Sequence, residues 1–108
     1  MTFDEYSALA SVTAPDLDTD GMLLNGALGL VGEAGEVADL VKKYYFQGHV
    51  LPRVGTKLEL GDVLWYVALT ARAIGCTLEE VAAANIEKLR ARYPDGKFDA
   101  ERSRNRGG

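Results

Sequence analysis

The chain is short of the residues that several chemistries would need. It has one cysteine, Cys76, so it cannot close an internal disulfide. It has one histidine, His49, whereas a di-iron centre in a helical bundle draws on histidines at Glu-x-x-His spacing. No apolar run reaches the about 18 residues that would suggest a membrane span. No basic, apolar and small-residue succession marks the N-terminus as a signal peptide, so a cytoplasmic protein with no membrane partner is expected. A basic surplus is missing too. Twelve Lys and Arg stand against sixteen Asp and Glu, a net charge of −4, which argues against binding duplex nucleic acid by counterion release. There is no internal repeat, and no strand-like alternation strong enough to displace helices.

What is present is helical patterning. Thr2 and Glu5 stand in capping-box spacing before Phe3, Tyr6, Leu9 and Ala10, which share one helical face. The segment from Thr13 to Gly21 reads as a loop, with Asp18, Thr19 or Asp20 as the next N-cap. From Met22 to about Phe46 there is no proline. Leu24, Leu28, Val31, Gly35, Ala38 and Val41 recur at steps of three and four there. Gly26, Gly29, Gly32 and Gly35 each cost a helix about 1 kcal/mol against alanine, so close approach of another helix or a ligand is expected to offset them. Gly48 should end this helix. Thr56 opens a third, with Leu60, Val63, Leu64, Val67, Ala68, Ala71 and Ile74 on its apolar face, stopping at Gly75. Thr77 and Glu80 open a fourth, which runs to about Tyr93 before Pro94. The expectation is an all-α fold, a helical bundle of about four helices, with residues 1–98 as one domain and 99–108 as a polar, disordered tail. A chain of 108 residues builds only a thin core, so completion by pairing with copies of itself is expected.

The acids are distributed unevenly. Glu33 and Glu36 are three residues apart on the second helix, on one face. Glu59 and Asp62 repeat that spacing on the third. Antiparallel packing of the two helices would gather four carboxylates, a cluster that repels itself unless a cation sits in it. Mg²⁺ takes carboxylates, waters and phosphate oxygens and suits such a site, with Mn²⁺ as a substitute. Each acid also has an ordinary reading. Glu59 follows Thr56 at capping-box distance, and Glu33 and Glu36 alone would more often be solvated. The apolar neighbours Leu30, Val31, Val37, Leu60, Val63 and Leu64 tip the balance toward a site.

A basic stripe follows on the fourth helix, where Asn85, Lys88 and Arg92 lie at i, i+3 and i+7 with Tyr93 beside the end. Alone it reads as a solvated face. Next to a metal cluster it reads as a phosphate clamp, the arginine through paired hydrogen bonds. Lys43, with Lys42, is a further cation near the acids. Trp65 and Tyr66 suit stacking on a base as well as they suit a core.

The pattern resembles the MazG-like family of all-α nucleoside triphosphate pyrophosphohydrolases, whose signature is E-E-x-x-E, a gap, then E-x-x-D. The segments that carry the resemblance are Gly29 to Leu40, Glu59-Leu60-Gly61-Asp62, and Asn85 to Gly96, within residues 22–98. Gly32 stands where the signature has its first glutamate, leaving four carboxylates in place of five. The resemblance implies a homodimer or homotetramer built of four-helix bundles. It implies metal ligation by Glu33, Glu36, Glu59 and Asp62, a general base in Glu33 or Glu36, and substrate contacts from Asn85, Lys88, Arg92, Tyr93, Lys43 and Trp65. The implied reaction is Mg²⁺-dependent hydrolysis of a nucleoside triphosphate to monophosphate and pyrophosphate, removing unwanted nucleotides. Rival readings are a deoxyuridine or deoxycytidine triphosphatase with the same carboxylates, and a non-catalytic helical interaction module.

Overall fold

The computed structural model describes residues 1–104, and these form five helices with no strand. They are α1 (Phe3–Ser11), α2 (Thr19–Phe46), α3 (Arg53–Ala73), α4 (Leu78–Arg92) and a short α5 (Ala100–Arg104). None is long and apolar enough to cross a membrane. The all-α class read from the patterning is the one the chain adopts.

Local chemistry explains most of the boundaries. At α1 the Glu5 N–H donates to Thr2 Oγ1 at 3.0 Å and the Thr2 N–H to Glu5 Oε1 at 3.2 Å, so the capping box is complete. Asp18 is the cap of α2, accepting from the Gly21 N–H at 2.7 Å. Beyond α2, Gly48 turns left-handed at φ 69° and the His49 N–H reaches the Lys43 carbonyl at 3.1 Å. α3 closes on a Schellman motif. Gly75 has φ 82°, and the Cys76 N–H donates to the Ala71 carbonyl at 2.8 Å.

The start of α3 departs from the sequence reading. The helix begins at Arg53, three residues before Thr56, with Pro52 at the N-cap and no side-chain cap bond. The Thr56 N–H already donates to the Pro52 carbonyl at 2.8 Å, so Thr56 stands inside the helix and caps nothing. Pro52 has no N–H to lose and its φ is near the helical value, which favours the earlier start.

The described residues divide into two compact units, Met1–Leu78 and residues 79–104. Within the first unit α2 and α3 are the main packed pair. Gly26 faces Thr70 and Gly29 faces the Tyr66 ring, numbers rising on one helix as they fall on the other, so the pair is antiparallel. A Cβ at either glycine would collide with those side chains. Gly32 and Gly35 have no such neighbour. α1 is tied to α3 by the Trp65 indole, whose Nε1–H is shared between Thr13 Oγ1 at 2.9 Å and the Ala10 carbonyl at 3.3 Å. The core is thin, with Leu69, Ala71 and Leu78 as its buried hydrophobic residues. The periodic stripe on α2 lies outside it, Leu24, Leu28 and Val31 being 62%, 65% and 73% exposed. In the second unit α5 forms within the segment read as a tail, and residues 105–108 lie outside the described residues.

The seam gives a direct test. Gly29→Ala should gain helix propensity of about 1 kcal/mol yet lose more by overpacking on Tyr66, about 1–3 kcal/mol. Urea unfolding should show a lower midpoint with an unchanged slope.

Candidate metal centre

The seam that seats Gly26 and Gly29 also sets the register of the acids. On the next turn of α2 Glu33 meets Glu59 and Asp62 of α3, and one carboxylate oxygen from each lies within 4.8 Å of the others. Glu33 and Glu59 are partly buried and Asp62 is exposed. Glu36, expected as the fourth ligand, is outside this group of three, one turn further along α2 and exposed. Its charge still reaches Glu33.

The cluster strains against its own charge. The Glu33 carboxyl is held above its ordinary value, first by a hydrogen bond with Glu59, then by burial, then by the negative charges of Asp62, Glu59 and Glu36. Glu59 keeps its Oε2 buried with no hydrogen-bond partner. A buried carboxylate oxygen without a donor is costly, and a cation would relieve it. The donor set is all oxygen, the preference of a hard cation. With the three oxygens all within 4.8 Å of one another, a single ion could be held between them. The three residues therefore fit a divalent cation.

Comparison with known proteins bears on this cluster. The profile of the MazG nucleotide pyrophosphohydrolase domain matches residues 24–97, a span that contains all four acids. The chain belongs to the MazG family. A relative, the "Gene 37 protein" of Mycobacterium phage L5, is 39% identical over 105 residues, covering 89% of this chain and 92% of its own. No solved structure matches the chain.

Other residues expected in a MazG site are distributed as follows. Lys43 is engaged by Asp39 at 2.8 Å, with Lys42 at 3.4 Å from the same carboxylate. That pairing lowers the Asp39 carboxyl below its ordinary value and raises the Lys43 ammonium, chiefly through the Asp39–Lys43 hydrogen bond. Trp65 lines a mostly apolar recess of about 160 Å³ with Ala10, Leu69, Cys76 and Leu78, as well as anchoring α1. Asn85, Lys88, Arg92 and Tyr93 belong to the second unit. There the Arg92 guanidinium sits 5.9 Å from the centre of the Tyr93 ring, and Tyr93 packs at 5.6 Å from Phe98. Tyr6 is the residue that spacing alone did not single out. Its phenol is raised by burial and then by the Asp62 carboxylate, which places α1 within electrical reach of the cluster. The sequence signal for it is slight, one aromatic on an amphipathic turn.

The raised Glu33 predicts a pH effect. A carboxyl whose folded value exceeds its unfolded one takes up a proton on folding, so stability falls as pH rises above its ordinary 4.5. In chelator at pH 8, Glu33→Gln should therefore unfold at a higher temperature than wild type, the difference shrinking toward pH 4. Saturating Mg²⁺ should reverse the order.

Proposed function

We propose that this MazG chain is a Mg²⁺-dependent nucleoside triphosphate pyrophosphohydrolase that releases the monophosphate and pyrophosphate as a cytoplasmic house-cleaning enzyme, with Mn²⁺ able to substitute. The observation that carries the reading is the convergence of Glu33, Glu59 and Asp62 across the α2–α3 seam, in a family of pyrophosphohydrolases. Bound at this cluster, Mg²⁺ supplies neutralisation of phosphate charge and a lowered pKa for water.

The chain's own groups then divide the work. Glu59 and Asp62 hold the cation from α3 while Glu33 holds it from α2. Glu36, exposed and outside the group of three, or Glu33 accepts the proton of the attacking water. Lys88 and Arg92 neutralise charge that develops on the leaving pyrophosphate, and Asn85 hydrogen-bonds sugar or phosphate. Lys43 can exchange Asp39 for a phosphate. Trp65 and Tyr93 offer ring faces to the base. The recess beside Trp65 is close to the roughly 150 Å³ apolar cavity that accepts one benzene ring, which is the scale of a pyrimidine.

A second copy of the chain completes this picture. Leu24, Leu28, Val31 and Val41 form an exposed apolar stripe along α2, interleaved with Ala38 and Gly35, which would let another helix approach closely. A homodimer or homotetramer covers it.

Pyrophosphate release from a panel of nucleoside triphosphates tests the reaction. Glu36→Gln and Asp62→Asn should each lower kcat by about 100-fold or more while circular dichroism stays helical, and chelator should do the same to wild type. Lys88→Ala should lower kcat/KM by about tenfold or more. Full activity in both carboxylate variants would remove the metal site, and release from no substrate would favour the non-catalytic module.

A further inference from the structure

Thr56 is the residue whose ordinary explanation the structure withdraws. As the first residue of α3 it would cap the helix and pair with Glu59, but α3 begins at Arg53 and that role does not exist. Inside a helix a threonine hydroxyl has a second common use, donating to the carbonyl four residues back. Thr70 does this, its Oγ1 donating to the Tyr66 carbonyl at 2.8 Å. Thr56 does not. Its Oγ1 is buried with no hydrogen-bond partner, although the Pro52 carbonyl is bound by the Thr56 backbone N–H at 2.8 Å.

Among the described residues the other buried side-chain oxygen without a partner is Glu59 Oε2, one turn further along the same face of α3. Residues at i and i+3 have Cβ atoms about 5–6 Å apart. One is a donor and the other an acceptor-only carboxylate, yet they do not bond each other. Each unsatisfied group is costly alone, and two on one turn, one of them among the three converging carboxylates, call for a common partner. Mg²⁺ is such a partner, because it keeps several waters when carboxylates bind it.

We propose that Thr56 is a positioning residue of the metal centre, its hydroxyl hydrogen-bonding a hydration water of the cation that Glu33, Glu59 and Asp62 ligate. The inference rests on the metal-centre reading and adds a neutral fourth group to it. The hydroxyl would help hold the hydrated ion that the three carboxylates bind, without ligating it.

The experiment measures Mg²⁺ affinity by titration calorimetry, without substrate, for wild type, Thr56→Val, Thr56→Ser and Glu59→Gln, with thermal unfolding in chelator alongside. Valine keeps the shape and replaces an unpartnered hydroxyl by a methyl, so Thr56→Val should unfold in chelator no lower than wild type. Its Mg²⁺ affinity should fall by about fivefold to tenfold, the worth of one hydrogen bond, while Thr56→Ser keeps wild-type affinity. An affinity for Thr56→Val within about twofold of wild type overturns the role of Thr56, as does an equal loss in Thr56→Ser, which signals a packing effect. A wild type that does not bind Mg²⁺, or whose affinity survives Glu59→Gln, overturns the metal centre as well, whereas loss in Glu59→Gln with none in Thr56→Val overturns the role of Thr56 alone.

Discussion

The close approach of α2 to α3 is what the remaining structure depends on. Two glycines, Gly26 and Gly29, let Thr70 and the Tyr66 ring lie where a Cβ would be, and this fixes both the distance and the register of the two helices. Glu33 then meets Glu59 and Asp62 on the following turn. A slip of one residue would rotate the α3 acids by about 100° and disperse the cluster. The glycines weaken α2 as a helix, and the seam they permit offsets that through packing that no alanine could share.

The acids make the opposite contribution. Like charges brought together across a packed seam oppose folding, and they add to the hydrogen bond with Glu59 and to burial in holding the Glu33 carboxyl above its ordinary value. A core as thin as Leu69, Ala71 and Leu78 has little surplus to set against that repulsion. Ligand binding and folding are therefore linked, since a cation that binds the folded cluster stabilises the state that presents it.

Much of this was legible in the residues. The Thr2–Glu5 box and the Asp18 cap follow from side chains that bond the nearest free N–H, and local chemistry of that kind survives the absence of tertiary information. The paired acids were legible because a spacing of three means one face on any helix. Thr56 and Glu59 misled for the same reason: their spacing fits a capping box wherever the helix happens to start, and Pro52 decided the start. The partition of glycines into two that are packed and two that are open was not legible, because it depends on where Thr70 and Tyr66 arrive from another part of the chain. The stripe of Leu24, Leu28 and Val31 was visible as periodic, but period alone does not say whether a helix of the same protomer covers it. Glu36 and Tyr6 needed the register as well, one to fall outside the group of three and the other to come under the influence of Asp62.

Trp65 is the chain's single tryptophan, and its indole N–H is held by oxygens at the C-terminal end of α1 and just beyond it. The protein thus carries one intrinsic fluorophore placed at the joint between its first helix and the helix that bears Glu59 and Asp62. Its emission responds to the docking of α1, so a band that moves red before helical signal is lost would resolve release of that helix as a separate, earlier step of unfolding.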